Sequence, residues 1–283
     1  MSYIEIRNIT KAFGNTIALD NVSLNLDQNK IYGLLGRNGA GKTTLLNLIT
    51  NKLFPTEGEI LVDGESVIEN DKPLSKMYYM TEKNLYPENM NIKNAFMWSK
   101  EFYPDFDENY AKALCEKFAL KSSKKIKALS TGYKSIFKII VALACKTPIL
   151  LLDEPVLGLD ANHRDLFYKE LLLNYSESPR TIIISTHLIE EAADIIEDVI
   201  VIKDGKVLMN DSVEKVLSQG YSVSGTTAAI DNFIVGKKVL GVDSLGGLKT
   251  AYLHEKIDQS TIPNGLEVTR LDLQKLFIHM TNY

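Results

Sequence analysis

Apolar and polar residues alternate along Tyr3-Ile4-Glu5-Ile6-Arg7-Asn8-Ile9 and again along Val22-Ser23-Leu24-Asn25-Leu26. A period of two marks half-buried strands, so residues 2–30 predict an antiparallel layer. Lys30-Ile31-Tyr32-Gly33-Leu34-Leu35 is a more uniformly apolar strand, followed after a glycine-rich octet by a helix starting Thr43-Thr44-Leu45-Leu46-Asn47-Leu48-Ile49. A strand over Glu59–Glu65 carries an Asp-Gly turn, and Met77-Tyr78-Tyr79-Met80 reads as a buried strand. From Asn91 the period lengthens: Ile92–Trp98 and Tyr110–Phe118 place apolar residues three and four apart, as amphipathic helices do. A mostly helical insert is therefore expected over about 83–147. Beyond it come the strand Ile149-Leu150-Leu151-Leu152, a helix across Arg164–Leu173, the strand Thr181–Ser185 and a helix across Leu188–Ile196. Fully apolar strands alternating with helices imply an α/β fold with a parallel sheet covered on both faces. Near Gly220 β-branched residues and glycine pairs take over, in Tyr221–Gly225, Val239–Val242 and Leu248–Leu253, before a closing helix over Leu271–Ile278. This predicts two units, 1–215 and a small α+β appendage at 216–283.

With 283 residues, 45% of them hydrophobic, the chain can build one large core and a small second one. No run approaches the roughly 18 uninterrupted apolar residues of a membrane span, and Met1-Ser2-Tyr3-Ile4-Glu5 lacks a signal-peptide pattern, so a cytoplasmic protein is expected. The net charge of −4 comes without a long basic run; Lys121–Lys127 reads as a solvated loop, and no nucleic-acid partner is expected. Cys115 and Cys145 sit in apolar helical patterns without metal-ligand spacing, which predicts buried reduced thiols.

The octet Gly36-Arg37-Asn38-Gly39-Ala40-Gly41-Lys42-Thr43 fills the pattern G-x-x-x-x-G-K-[ST] between a strand and a helix. In that setting backbone N–H groups from Gly36 through Gly41, Asn38, Gly39 and Ala40 included, can turn inward around phosphate oxygens, reinforced by the helix N-terminus. Lys42 reaches the β and γ phosphates, the Thr43 hydroxyl ligates Mg²⁺, and Thr44 follows as a further ATP contact. A glycine-rich surface turn is the plain alternative. About 110 residues later, Asp153 and Glu154 end an apolar strand, where a parallel sheet presents its ligands. Asp153 is placed to hold Mg²⁺, usually through water, and Glu154 to orient or deprotonate the water that attacks the γ-phosphate.

With these motifs in order, residues 1–210 resemble the ATP-binding cassette family, the ATPase subunits of ABC transporters, implying a P-loop NTPase fold of ABC type. Leu129-Ser130-Thr131-Gly132-Tyr133 is similar to the family's signature, usually Leu-Ser-Gly-Gly-Gln; the resemblance implies that Ser130 and Gly132 face the γ-phosphate of ATP on the opposite subunit. Read alone, Ser130 is a good helix N-cap. Leu157-Gly158-Leu159-Asp160 resembles the D-loop, His187 in Ser185-Thr186-His187 the switch histidine, and Phe13 the aromatic that stacks on adenine; without the family, Phe13 reads as core. Thr131 and Tyr133 depart from the signature, and Glu82 stands where the family has the Q-loop glutamine, as a further Mg²⁺ ligand that adds negative charge beside the phosphates.

The resemblance implies ATP and Mg²⁺ as ligands, a second cassette, identical or not, as dimer partner, and a separately encoded transmembrane subunit that holds the chain at the inner face of the membrane. The segment Leu85–Met90 with Phe96 and Trp98 is where the family receives a helix of that subunit, although both aromatics also fit the core of the insert. The stretches Lys30–Asn38, Phe102–Asp107, Leu129–Ser135 and Ser185–Glu191 look most like a bacterial exporter subgroup with the YtrB-like ATPases and those of the phenol-soluble-modulin exporters. That implies export of amphipathic or antimicrobial peptides. A soluble cassette ATPase acting on ribosomes or DNA and a regulatory nucleotide-binding module are the competing classes; the first generally fuses two cassettes or inserts a long coiled coil.

Overall fold

A computed structural model describes residues 3–257 and 262–282; Met1 and Ser2, the start of the stretch read for a leader, lie outside them. The chain opens with a hairpin of β1 (Ile4–Phe13) and β2 (Thr16–Leu26), longer than the alternating stretches because both strands continue past them to the turn at Gly14. After β3 (Ile31–Leu35) and α1 (Lys42–Ile49), β4 (Glu57–Val62) pairs with β1, then turns at Asp63 and Gly64 into β5 (Glu65–Ser66). Their φ angles of 54° and 78° are what a tight hairpin turn requires, which is why Asp-Gly sits there. The resulting antiparallel sheet has the order β2-β1-β4-β5.

The helix α2 (Asp71–Leu74) leads to β6 (Met77–Met80), and α3 (Ile92–Phe102), α4 (Glu108–Lys117), a 3-10 turn at Ile126–Ala128 and α5 (Thr131–Ala144) follow before β7 (Ile149–Asp153). The chain continues through α6 (Ala161–Glu177), β8 (Thr181–Thr186), α7 (Ile189–Ala192), β9 (Asp198–Lys203) and β10 (Lys206–Ser212). The central sheet runs β10-β9-β3-β8-β7-β6, parallel except for β10. Neighbouring residues of its strands serve opposite cores. Tyr32, Leu34, Leu151 and Ile183 pack with α1 and the antiparallel sheet, whereas Ile31, Leu150, Leu152, Ile182 and Ile184 pack with α5 and α6. Burial on both faces explains the uninterrupted apolar runs.

One expectation needs correction. The helix expected to reach Ile196 ends at Ala192, and Ile196 instead turns in against Gly33 of β3, where a Cβ would lie 2.5 Å from its Cδ1. The hairpin of β9 and β10 was not anticipated, although β9 is the neighbour of β3. Cys115 and Cys145 are buried and free, as the pattern predicts.

The C-terminal part contains α8 (Val213–Ser218), β11 (Gly220–Thr226), α9 (Thr227–Phe233), β12 (Val239–Leu245), β13 (Leu248–His254), β14 (Glu267–Arg270) and α10 (Leu273–Thr281). Its antiparallel sheet has the order β12-β13-β11-β14 and covers Ile230 of α9 with Val223, Ala251 and Leu253. Leu271, Leu273 and Leu276 turn the other way, sharing a buried cluster with Leu35 of β3, Ile189 of α7, and Val199 and Val201 of β9.

Candidate active site

The parallel sheet sets its chemistry at the ends of its strands. Leu35 pairs with Thr186, Asp153 with Ser185, and Met80 with Leu152, so the loops after β3, β6, β7 and β8 leave the sheet side by side. They form a cleft of about 410 Å³ lined by Asn38 through Thr44, Glu82, Asp153, Glu154 and His187, with Ala18 and Leu157 at its margins. Ala18, from the antiparallel layer, and Leu157 were not expected here; neither carries a side chain that announces a polar site.

On the phosphate-binding side, Gly41 caps α1 with φ 113° and ψ 0°. Lys42 is buried and its Nζ donates to the Gly36 carbonyl at 2.7 Å and the Arg37 carbonyl at 3.3 Å, so Gly36 supports the lysine from behind the cleft. Burial pushes the Lys42 ammonium pKa down, while the charges of Glu154 and Asp153 oppose that shift and favour the cation.

On the acidic side, Asp153 is buried, and its Oδ2 accepts from the Tyr79 hydroxyl at 3.2 Å. Burial, and the nearness of Asp153, push the Tyr79 phenol well up, which keeps it a donor. The Asp153 Oδ1 is buried without a hydrogen-bond partner, an arrangement that proteins rarely leave uncompensated. That orphaned acceptor fits a hard cation such as Mg²⁺, with the Thr43 hydroxyl on the facing helix as a second oxygen donor. Among the described residues no group of three His, Cys, Asp or Glu side chains is placed to hold a metal unaided. Glu154 follows with φ 49°, a left-handed conformation uncommon for a residue with a side chain. Its N–H donates to Ser185 O at 2.9 Å, and its Oε2 lies 2.8 Å from His187 Nδ1.

Phe13, Ser130, Gly132 and Asp160 do not line the cleft. Phe13 is half exposed, with Lys11 Nζ 5.0 Å from its ring centre. Ser130 is the N-cap of α5 and accepts from Tyr133 N–H at 3.4 Å. A Cβ on Gly132 would come within 2.7 Å of Gly158 O, and Ser135 Oγ donates to Leu157 O at 2.9 Å, so the segments around 132 and 158 pack on each other within one chain. Asp160 caps α6, accepting from His163 N–H at 2.9 Å. Of the two aromatics left open, Phe96 is 2% exposed and packs with Phe106 and Phe137, whereas Trp98 is 49% exposed.

A glycine-lined loop at a helix start, a buried lysine folded into it, and carboxylates at the end of a parallel strand one position further across the sheet, beyond β8, define a P-loop ATPase. A family model described as ABC transporter matches residues 19–157. The ATP-binding protein YtrB of Bacillus subtilis is 34% identical over 188 residues, 66% of this chain and 64% of that protein. Nod factor export ATP-binding protein I of Burkholderia lata is 32% identical over 72% of this chain and 68% of its own length. A spermidine/putrescine import ATP-binding protein of Legionella pneumophila is 35% identical over 72% of this chain and 57% of its own. A cassette solved as a dimer in a post-hydrolysis state with ADP and Pi superimposes with a TM-score of 0.65 at 27% identity, covering 74% of this chain and 98% of that one. The chain belongs to the ATP-binding cassette family and carries its ATPase domain, for which ATP and Mg²⁺ are the ligands.

Proposed function

We propose that this chain powers a membrane transporter by binding ATP between two cassettes and hydrolysing it. Lys42 and the N–H groups of Gly39, Ala40 and Gly41 hold the phosphates; Thr43, Asp153 and Glu82 hold Mg²⁺, which when bound neutralises phosphate charge. Glu154 takes a proton from the attacking water, held in place by His187 at 2.8 Å. Phe13 stacks on the adenine, and Ser130 and Gly132, with Asp160 beside them, are offered to the ATP of the second cassette. Closure of the two cassettes is the mechanical output. Residues 216–283 form an accessory unit on the cassette of 1–215.

The observation that carries the transport reading is an apolar strip beside the Glu82 loop: Leu85, Met97, Trp98 and Phe102 are all exposed. Exposed apolar patches of this kind mark interaction sites, and the partner proposed for this one is a cytoplasmic segment of a transmembrane subunit. Among the described residues no helix is long and apolar enough to cross a membrane. Export of amphipathic or antimicrobial peptides rests on the exporter-like stretches around Lys30–Asn38 and Leu129–Ser135.

The test is isolation of the protein with its bound partners from detergent-solubilised native membranes. A stoichiometric multi-span membrane protein is the expected companion; recovery from the soluble fraction with ribosomes or DNA would move the chain to the non-transport class. At the site itself, Glu82→Gln raises the Mg²⁺ concentration for half-maximal ATP hydrolysis by about threefold, since ligand charge tunes cation affinity. An unchanged Mg²⁺ titration counts against Glu82 as a ligand.

A further inference from the structure

Leaving β6 at Met80, the chain reaches Glu82 through a loop held by side chains rather than by backbone pairing. Among the described residues, 81–86 make no backbone–backbone hydrogen bond. Side chains hold them instead: Thr81 Oγ1 donates to Lys83 O, Asn84 bonds both ways with the Tyr86 backbone, and α5 and α3 supply the contacts from outside the loop. Lys138 of α5 reaches over so that its Nζ donates to Thr81 O at 2.9 Å and to Glu82 O at 2.7 Å. The preceding residue, Phe137, meets the Tyr86 ring edge-on at 5.3 Å, and the Tyr86 hydroxyl pairs with Ser99 Oγ at 2.7 Å. Two successive residues of α5 thus fasten both ends of the loop.

From this geometry we infer that Lys138 is the positioning residue that sets Glu82 in the cleft, an inference resting on the reading of Glu82 as a group facing Mg·ATP. Only a long side chain with several donors can bridge two consecutive carbonyls from a neighbouring helix, and lysine brings three on a flexible stem. Lys138 also lies eight residues, about 12 Å of helix, from Ser130 on the same rod. A tilt of α5 that moves Ser130 moves the anchor of Glu82 with it, so the state of the inter-cassette end and the placement of the metal-side carboxylate change together.

The test uses the full chain carrying Glu154→Gln, so that ATP stays intact and its binding is read by calorimetry at graded Mg²⁺. Lys138→Met is expected to raise the Mg²⁺ concentration for half-maximal ATP binding by about fivefold, the scale of one charge-assisted hydrogen bond partly lost. ATP affinity without Mg²⁺ is expected to stay within about twofold, because the phosphate loop is untouched, and Lys138→Arg to restore most of the Mg²⁺ response. In a Glu82→Ala background, where no side chain is left to place, Lys138→Met should add almost nothing. A normal Mg²⁺ requirement in Lys138→Met, an equal loss of affinity with and without Mg²⁺, or an undiminished effect in the Glu82→Ala background overturns the assignment. If Glu82→Ala alone leaves the Mg²⁺ requirement unchanged, the reading of Glu82 fails first and the role of Lys138 falls with it.

Discussion

Glu154→Gln is expected to lower ATP turnover about a thousandfold while ATP remains bound, a rise of about 4 kcal/mol in the barrier. The substitution keeps the size and shape of the side chain and removes its capacity to accept a proton. Nothing else in the cleft needs to move. The N–H of residue 154 still donates to Ser185 O, and the amide oxygen can still accept from His187 Nδ1 in place of the carboxylate oxygen at 2.8 Å. The phosphate side, built from Lys42 and the glycine loop, lies on a different strand end and keeps its geometry, with Asp153 still favouring the Lys42 cation. Phosphate release at saturating Mg·ATP, measured beside nucleotide retention, separates the two effects. Turnover at the wild-type level would remove Glu154 from the reaction and require another base.

Gly41→Ala is expected to lower stability by about 3 kcal/mol, combining backbone strain with overpacking. At φ 113° the added methyl would lie 2.7 Å from Ala18 O and 2.7 Å from Leu19 Cδ2, one a cleft-lining backbone atom and the other part of the core. Relief requires shifting the start of α1 and with it the N–H groups that face the phosphates, so ATP affinity is expected to fall. Gly64→Ala supplies the control. Gly64 also has positive φ, 78°, but nothing lies within 4 Å of the new methyl, so only strain of about 1 kcal/mol applies and ATP binding should not change. Thermal midpoints and nucleotide affinities of the two variants, compared side by side, decide the matter; equal losses would mean that crowding at Gly41 is irrelevant.

Much of the cleft could be read from the sequence because its parts are local. The phosphate loop is eight consecutive residues between a strand and a helix, and Asp153 and Glu154 directly follow an apolar run, so neighbours along the chain carry the signal. Helical periodicity could also have separated Phe96 from Trp98: Ile92, Ala95, Phe96 and Ser99 form the buried face of α3, and Trp98 falls outside it. Other parts depend on pairings between distant residues. Lys138 reads as one polar position in an apolar helix until the fold brings it 56 residues back to the Glu82 carbonyl. Tyr79 reads as core until its hydroxyl meets Asp153, 74 residues away. The β9–β10 hairpin was missed although Asp198–Lys203 is mostly apolar, because its place beside β3 is a matter of sheet order that periodicity does not encode.

The cluster that joins Leu271, Leu273 and Leu276 to Leu35, Ile189, Val199 and Val201 has a practical meaning for anyone recombining such chains. A graft cut near residue 216 follows a visible change in composition, yet the real seam between donor and host runs through this buried cluster, one residue upstream of the phosphate loop and two beyond His187. A foreign C-terminal segment would have to match those side chains in volume, or the mismatch would be felt in the nucleotide cleft before anything changed at the surface.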